Sequence, residues 1–217
     1  MTEPDPLSIA MDDTEEREWK AEYERSVAPY RIQPGSKSYP DGAIITSLDD
    51  AVVRLQSAVK WEISFDREQV VESENWWYIP FVWMGCSGYI VDKLDGYINQ
   101  LGSCHPLGLC FWAHNRNIKY DYADLTVNQV YNLDATLKTL IQMGNRSRIN
   151  PIPNKPDAGG ERTEFWTEEE LEEKLKTLPV TFPNQQLWFT IRALKQSCDN
   201  DEFEFVVSRG AWQVNLP

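Results

Sequence analysis

The stretch Trp76-Trp77-Tyr78-Ile79-Pro80-Phe81, with its continuation Gly88-Tyr89-Ile90-Val91-Asp92-Lys93-Leu94-Asp95-Gly96-Tyr97-Ile98-Asn99-Gln100-Leu101, decides the fold. Both segments are dense in aromatic and β-branched residues, which suit a pleated, half-buried surface. Side chains on a strand alternate between faces, so a strand over Asn75–Met84 puts Trp77, Ile79, Phe81 and Trp83 together. Trp76 then points the other way, and both indoles are buried only if both faces of the sheet are covered. Pro80 has no N–H for a ladder, which predicts an edge strand or a bulge there. Lys93-Leu94-Asp95-Gly96 is a hairpin turn, because Asp-Gly tolerates the left-handed dihedrals of tight turns. Gly88–Asp92 and Tyr97–Leu101 are its two strands, and a short polar strand over Glu68–Glu72 comes before them. Together these segments predict an antiparallel meander.

Upstream of the meander, Ser47-Leu48-Asp49-Asp50 opens a helix. The serine caps it, and an acid three residues on favours the positive helix end. Leu48, Val52, Leu55 and Val59 form one apolar stripe that should end near Lys60. Pro29–Gly42 is broken by prolines and glycines and reads as loop. Glu15–Val27 reads as helix, with Trp19 and Tyr23 four apart on one face.

Downstream, Pro106–His114 predicts one or two helical turns. Leu125–Met143 reads as a single long helix with Val130, Leu133, Leu137, Leu140 and Ile141 apolar, stopped by Gly144. Asn145–Gly160 holds Pro151, Pro153, Pro156, Gly159 and Gly160 and reads as linker. Thr167-Glu168-Glu169-Glu170 is a capping box before the stripe Leu171, Leu175, Leu178. Leu187–Gln196 reads as helix, and Glu202–Ser208 alternates like a half-exposed strand. The expected class is α+β: a helix packed on an antiparallel meander, with further C-terminal helices and a short strand. The expected divisions are an acidic tail and loop (1–42), the helix-plus-meander unit (43–144), a linker (145–161), and a small C-terminal region (162–217). That last region has under 60 residues, would be marginal alone, and should pack on the first unit.

The 217 residues carry 34 acids against 21 bases, a net charge of −13. Such a surface argues against nucleic acid, whose phosphates need basic partners, and against anionic membranes. It suits a basic protein partner. Thr2–Glu24 alone has nine acids against Arg17 and Lys20, so the excess is concentrated near the N-terminus. The first residues lack the basic start and apolar run of a signal peptide, and no apolar stretch is long enough to span a bilayer. A cytoplasmic protein with reduced thiols at Cys86, Cys104, Cys110 and Cys198 is expected.

Over Ser47–Pro106 the order of elements resembles the YrhB-like immunity domain of bacterial polymorphic-toxin systems. The resemblance rests on Leu48-Asp49-Asp50-Ala51-Val52-Val53, on Trp76-Trp77-Tyr78-Ile79-Pro80-Phe81, and on Gly88 to Gly96 with its Val91-Asp92-Lys93. Gln100-Leu101-Gly102-Ser103 and His105-Pro106 complete it. It covers about 60 of the 217 residues. It implies a cystatin-like helix-on-sheet architecture and a role in binding a cognate toxin. It supplies no catalytic residue and no cofactor.

Chemistry has two other candidates. Cys86 with His105 or His114 would make a thiolate nucleophile and its base, as in a cysteine-dependent hydrolase. Cys104, His105, Cys110 and His114 have the atom types for zinc, although adjacent Cys-His side chains diverge. No phosphate-cradling glycine loop or metalloprotease helix is present. An adaptor or chaperone for a secreted effector is a third class. The favoured expectation is a non-enzymatic inhibitor of a basic toxin. Its expected contact residues are Glu72, Glu74, Trp76, Asp92 and Asp95, joined by Glu168, Glu169 and Glu172.

Overall fold

A computed structural model of the chain describes residues 13–33, 39–81, 85–102, 105–120, 122–143, 146–148 and 164–211, and shows an α+β protein with two main antiparallel sheets. The acidic residues before 13, Trp83, Cys104 and most of the expected linker lie outside the described residues.

The first sheet is the meander. Strands β1 (Val71–Glu72), β2 (Trp76–Ile79), β3 (Cys86–Asp92) and β4 (Ile98–Gly102) pair in that order, with Trp76 opposite Asp92 and Ile79 opposite Tyr89. Ser47 caps α2 (Leu48–Ala58) with the reciprocal Ser47–Asp50 capping box. Ala51 and Leu55 of α2 pack on the face formed by Trp77, Ile79, Tyr89 and Val91. The opposite face, with Trp76, Tyr78, Ile90 and Leu101, is covered by Tyr23 and Val27 of α1 (Asp13–Val27) and by Cys110 and Phe111 of α3 (Leu107–Asn115). Both faces are therefore dry, and both tryptophans are buried.

Pro80 plays a different part from the one expected. β2 is an inner strand, paired with β1 on one side and β3 on the other. Pro80 lies just past its end and stops it, because it has no donor to continue the ladder. The irregularity sits instead in β3, where the register with β4 shifts between Cys86 and Gly88.

The second sheet required a correction. Leu125–Met143 is not one helix. Ala123–Val130 is strand β5, and a separate helix α4 (Leu133–Gln142) begins after Asn132, whose side chain accepts from the Ala135 N–H. Leu125 and Val127 alternate inward and are fully buried, which is strand periodicity. β5 is the central strand between β8 (Val180–Gln185) and β9 (Phe203–Arg209). β8 carries Pro183 and Asn184, residue types that interrupt a strand pattern. It is an edge strand, where a proline is tolerated. Leu137 and Leu140 of α4 pack on the inner face of this sheet. So do Leu171 and Leu175 of α5 (Glu168–Leu175), and Ile191 and Leu194 of α6 (Ile191–Asp199).

Segments from both sides of the expected linker thus share one sheet. At the linker's start, β6 (Arg146–Arg148) pairs with β7 (Glu164–Phe165). Among the described residues no helix is long and apolar enough to cross a membrane.

Candidate functional site

The hairpin between β3 and β4 carries Asp92, Lys93 and Asp95, three of the charged residues singled out from the sequence. Asp92 ends β3 and folds the turn onto itself. Its Oδ1 accepts from the N–H groups of Leu94 at 2.9 Å and Asp95 at 3.2 Å. Its Oδ2 accepts from the Lys119 ammonium and lies 3.2 Å from His114 Nε2. Asp95 accepts from the Tyr97 N–H and from the Tyr120 hydroxyl, each at 2.9 Å, and lies 3.5 Å from Lys119 Nζ.

Lys93 leaves the chain toward the opposite face. Its ammonium donates to Glu72 Oε1 at 2.9 Å and to the Ser73 carbonyl at 2.7 Å, and sits 4.7 Å from the centre of a Trp77 ring. Its backbone N–H donates to Asn75, and its carbonyl accepts from Ile44 and Ile45. Alternation across the strand explains the arrangement: one residue clamps the turn to α3, the next clamps it to the β1–β2 turn.

Burial sets the protonation states. It opposes charge on Asp92, yet the His114 hydrogen bond and the Lys119 ammonium outweigh it and hold the carboxyl well below the usual range. Burial drives His114 down, against the pull of Asp92, so the imidazole is neutral. Asp92 only accepts, so Nε2 carries the proton. His114 Nδ1 is then a buried acceptor with no donor among the described residues. Burial also lowers Lys93, and Glu72 offsets part of this.

These contacts divide the expected partner-binding residues. Trp76 and Asp92 are buried and not available to a partner. Trp76 stacks on Phe111 with ring centroids 4.9 Å apart and donates to Asn115 Oδ1 at 2.6 Å. Both residues hold the scaffold, because a sheet covered on both faces leaves its inner side chains no solvent. Glu72 is part-buried and spent on Lys93. Glu74 and Asp95 are exposed in adjacent turns at one end of the first sheet. Glu168, Glu169 and Glu172 are exposed on α5, which packs on α4 over the second sheet, so the two acidic groups are on different units of structure.

Two apolar residues at the hairpin end were missed. Leu94 is 52% exposed and Ile44 is 62% exposed. Leu94 had a signal: a central residue of a two-strand turn projects into solvent. Ile44 had none, since only its backbone pairing with Lys93 brings it there. His114 and Lys119 were likewise invisible as partners of Asp92, being 22 and 27 residues away.

The chemical alternatives do not assemble around Cys86 and His114. Cys86 is buried in the cluster under α2, with its thiol directed at the Gly88 carbonyl at 3.5 Å. His114 meets Trp76 edge-on across the other face, so the sheet separates them. His105 lies edge-on to Trp188 with centroids 6.3 Å apart. Cys110 directs its thiol at the His105 carbonyl, while Cys104 lies outside the described residues. Among the described residues no three His, Cys, Asp or Glu side chains converge on a common point suited to a metal. Compared with protein-family models, curated proteins and solved structures, the chain finds no match.

Proposed function

We propose that the protein is an immunity protein that neutralises a cognate, basic bacterial toxin by stoichiometric binding over its active or substrate site. The observation that carries this reading is the hairpin end of the first sheet. Exposed Leu94 and Ile44 stand beside the exposed acids Asp41 and Asp95, on a turn held from below by two buried charged networks. Ile44 leans over Gly96 and Leu94 over Gly42, which keeps both side chains at the surface. Apolar anchors within a charged rim on a rigid support are the anatomy of an interface hot spot. The net charge of −13 favours a basic partner and speeds encounter. The likeness of Ser47–Pro106 to the YrhB-like immunity domain supports the same class.

The test uses the toxin encoded by the neighbouring gene. A one-to-one complex is expected, weakening at least about 10-fold when salt rises well above physiological strength. Changing Ile44 and Leu94 together to Asp should weaken it about 100-fold, as loss of two hot-spot anchors does. Reversing Glu168, Glu169 and Glu172 to Lys should act mainly on the association rate. Absence of binding and of protection in cells would sink the immunity reading. Binding of several unrelated effectors would replace it with an adaptor role. Full affinity in the Ile44/Leu94 variant would move the interface elsewhere.

A further inference from the structure

A shallow cleft of about 310 Å³ opens beside β1, on the α2 side of the first sheet. It is lined by Trp77, Leu48, Val70, Ile32 and Glu72, together with Arg31 and Arg67. Two arginines and one acid in a single lining stand out on a chain with a net charge of −13. The two arginines are loosely committed. Arg31 meets Glu24 at 3.2 Å, and Arg67 meets Asp49, but both acids lie largely in solvent on α1 and α2. Exposed pairs of this kind hold weakly, and each guanidinium is open to exchange for a better-placed carboxylate. The acid within the cleft, Glu72, does not compete, because the fully buried Lys93 ammonium neutralises it. Trp77 is 8% exposed, and its indole N–H has no acceptor among the described residues.

We infer that this cleft binds a carboxylate joined to a compact apolar body: an aromatic or branched acid, or the same group as the C-terminal residue of a polypeptide. The apolar body rests on Trp77, Leu48 and Val70, and the carboxylate bridges Arg31 and Arg67. The volume suits a ligand at the small end of the range for binding clefts. Charge selects the class, since a cation would meet both arginines and a neutral ligand would leave them in their weak surface pairs. The cleft lies apart from the exposed side chains of the hairpin, and its test does not depend on the immunity reading.

The experiment is a titration of the full chain with phenylacetate and with phenylacetamide. Binding is followed by calorimetry and by the Trp77 indole N–H resonance. The acid should bind with a dissociation constant below about 1 mM, and the amide at least about 10-fold more weakly. The Arg31→Gln, Arg67→Gln double variant should lose the acid at least about 10-fold while keeping the native circular-dichroism spectrum, because both side chains are solvent-facing. A pentapeptide ending in Phe, with a free or an amidated C-terminus, separates the sources. Tighter binding of the free-ended peptide than of phenylacetate identifies a polypeptide terminus, and equal binding identifies a small acid. Equal affinity for acid and amide, no saturable binding at about 10 mM, or full affinity in the double variant would overturn the proposal.

Discussion

Burial of His114 beside Asp92 makes the hairpin sensitive to acid, and the sign follows from both groups. The folded His114 pKa is lowered, so the unfolded chain takes up a proton near pH 6.5 that the folded chain refuses. Stability is therefore full above that pH and falls below it. The lowered Asp92 pKa adds a second loss as pH drops through the ordinary carboxylate range near 4. His105 is lowered as well and contributes to the first limb. Urea unfolding between pH 7.5 and 5 should show stability declining from about pH 6.5. His114→Gln, which keeps a donor for Asp92, should be less stable at pH 7.5. Its slope below pH 6.5 should be flatter, by at most one proton, or about 1.4 kcal/mol per pH unit. An unchanged slope would remove His114 from the account. At this scale the sequence is least informative. Asp92 and Lys93 stood out as charged and turn-forming, but burial of each depended on partners far along the chain.

Elements were more legible where the signal was local. The Ser47–Asp50 and Thr167–Glu170 capping boxes and the Asp95-Gly96 turn were all readable, because their partners lie within four residues. Strand β5 was not. Its Leu and Val residues merge with those of α4, and only pairing with Phe205 and Val207 resolves them as strand. Gly88 is the element-scale position with the sharpest consequence. Its φ is +141°, and a Cβ there would stand 2.5 Å from the Tyr78 ring and 2.8 Å from the Ile79 carbonyl. Gly88→Ala should cost about 3 kcal/mol or more, from strain and overpacking together. Gly96→Ala should cost about 1 kcal/mol, because its φ of +65° is less demanding and its nearest neighbour, Ile44 Cδ1 at 3.3 Å, can move. Denaturant midpoints of the two variants decide the matter, and equal costs would contradict the close approach at Gly88.

For the whole molecule, the sheet β8-β5-β9 ties residues before 145 to residues after 162. A fragment ending at residue 144 keeps β5 but loses both its neighbours, leaving Leu125 and Val127 uncovered and two edges unpaired. It should lack a cooperative thermal transition, and a sharp one at the full chain's temperature would show that the first unit stands alone. The amino-acid sequence by itself determined the α+β class, the meander with its helix, the caps and the acidic balance. Each of these follows from local periodicity, turn chemistry or composition. Tertiary structure alone decided that Trp76 and Asp92 are interior, that Leu94 and Ile44 form a surface, and that Arg31 and Arg67 share a cleft. Which face of a strand meets solvent depends on what the rest of the chain lays over it. Here α1 and α3 lie over one face of the first sheet and α2 over the other, which turns its hairpin ends and edges toward solvent.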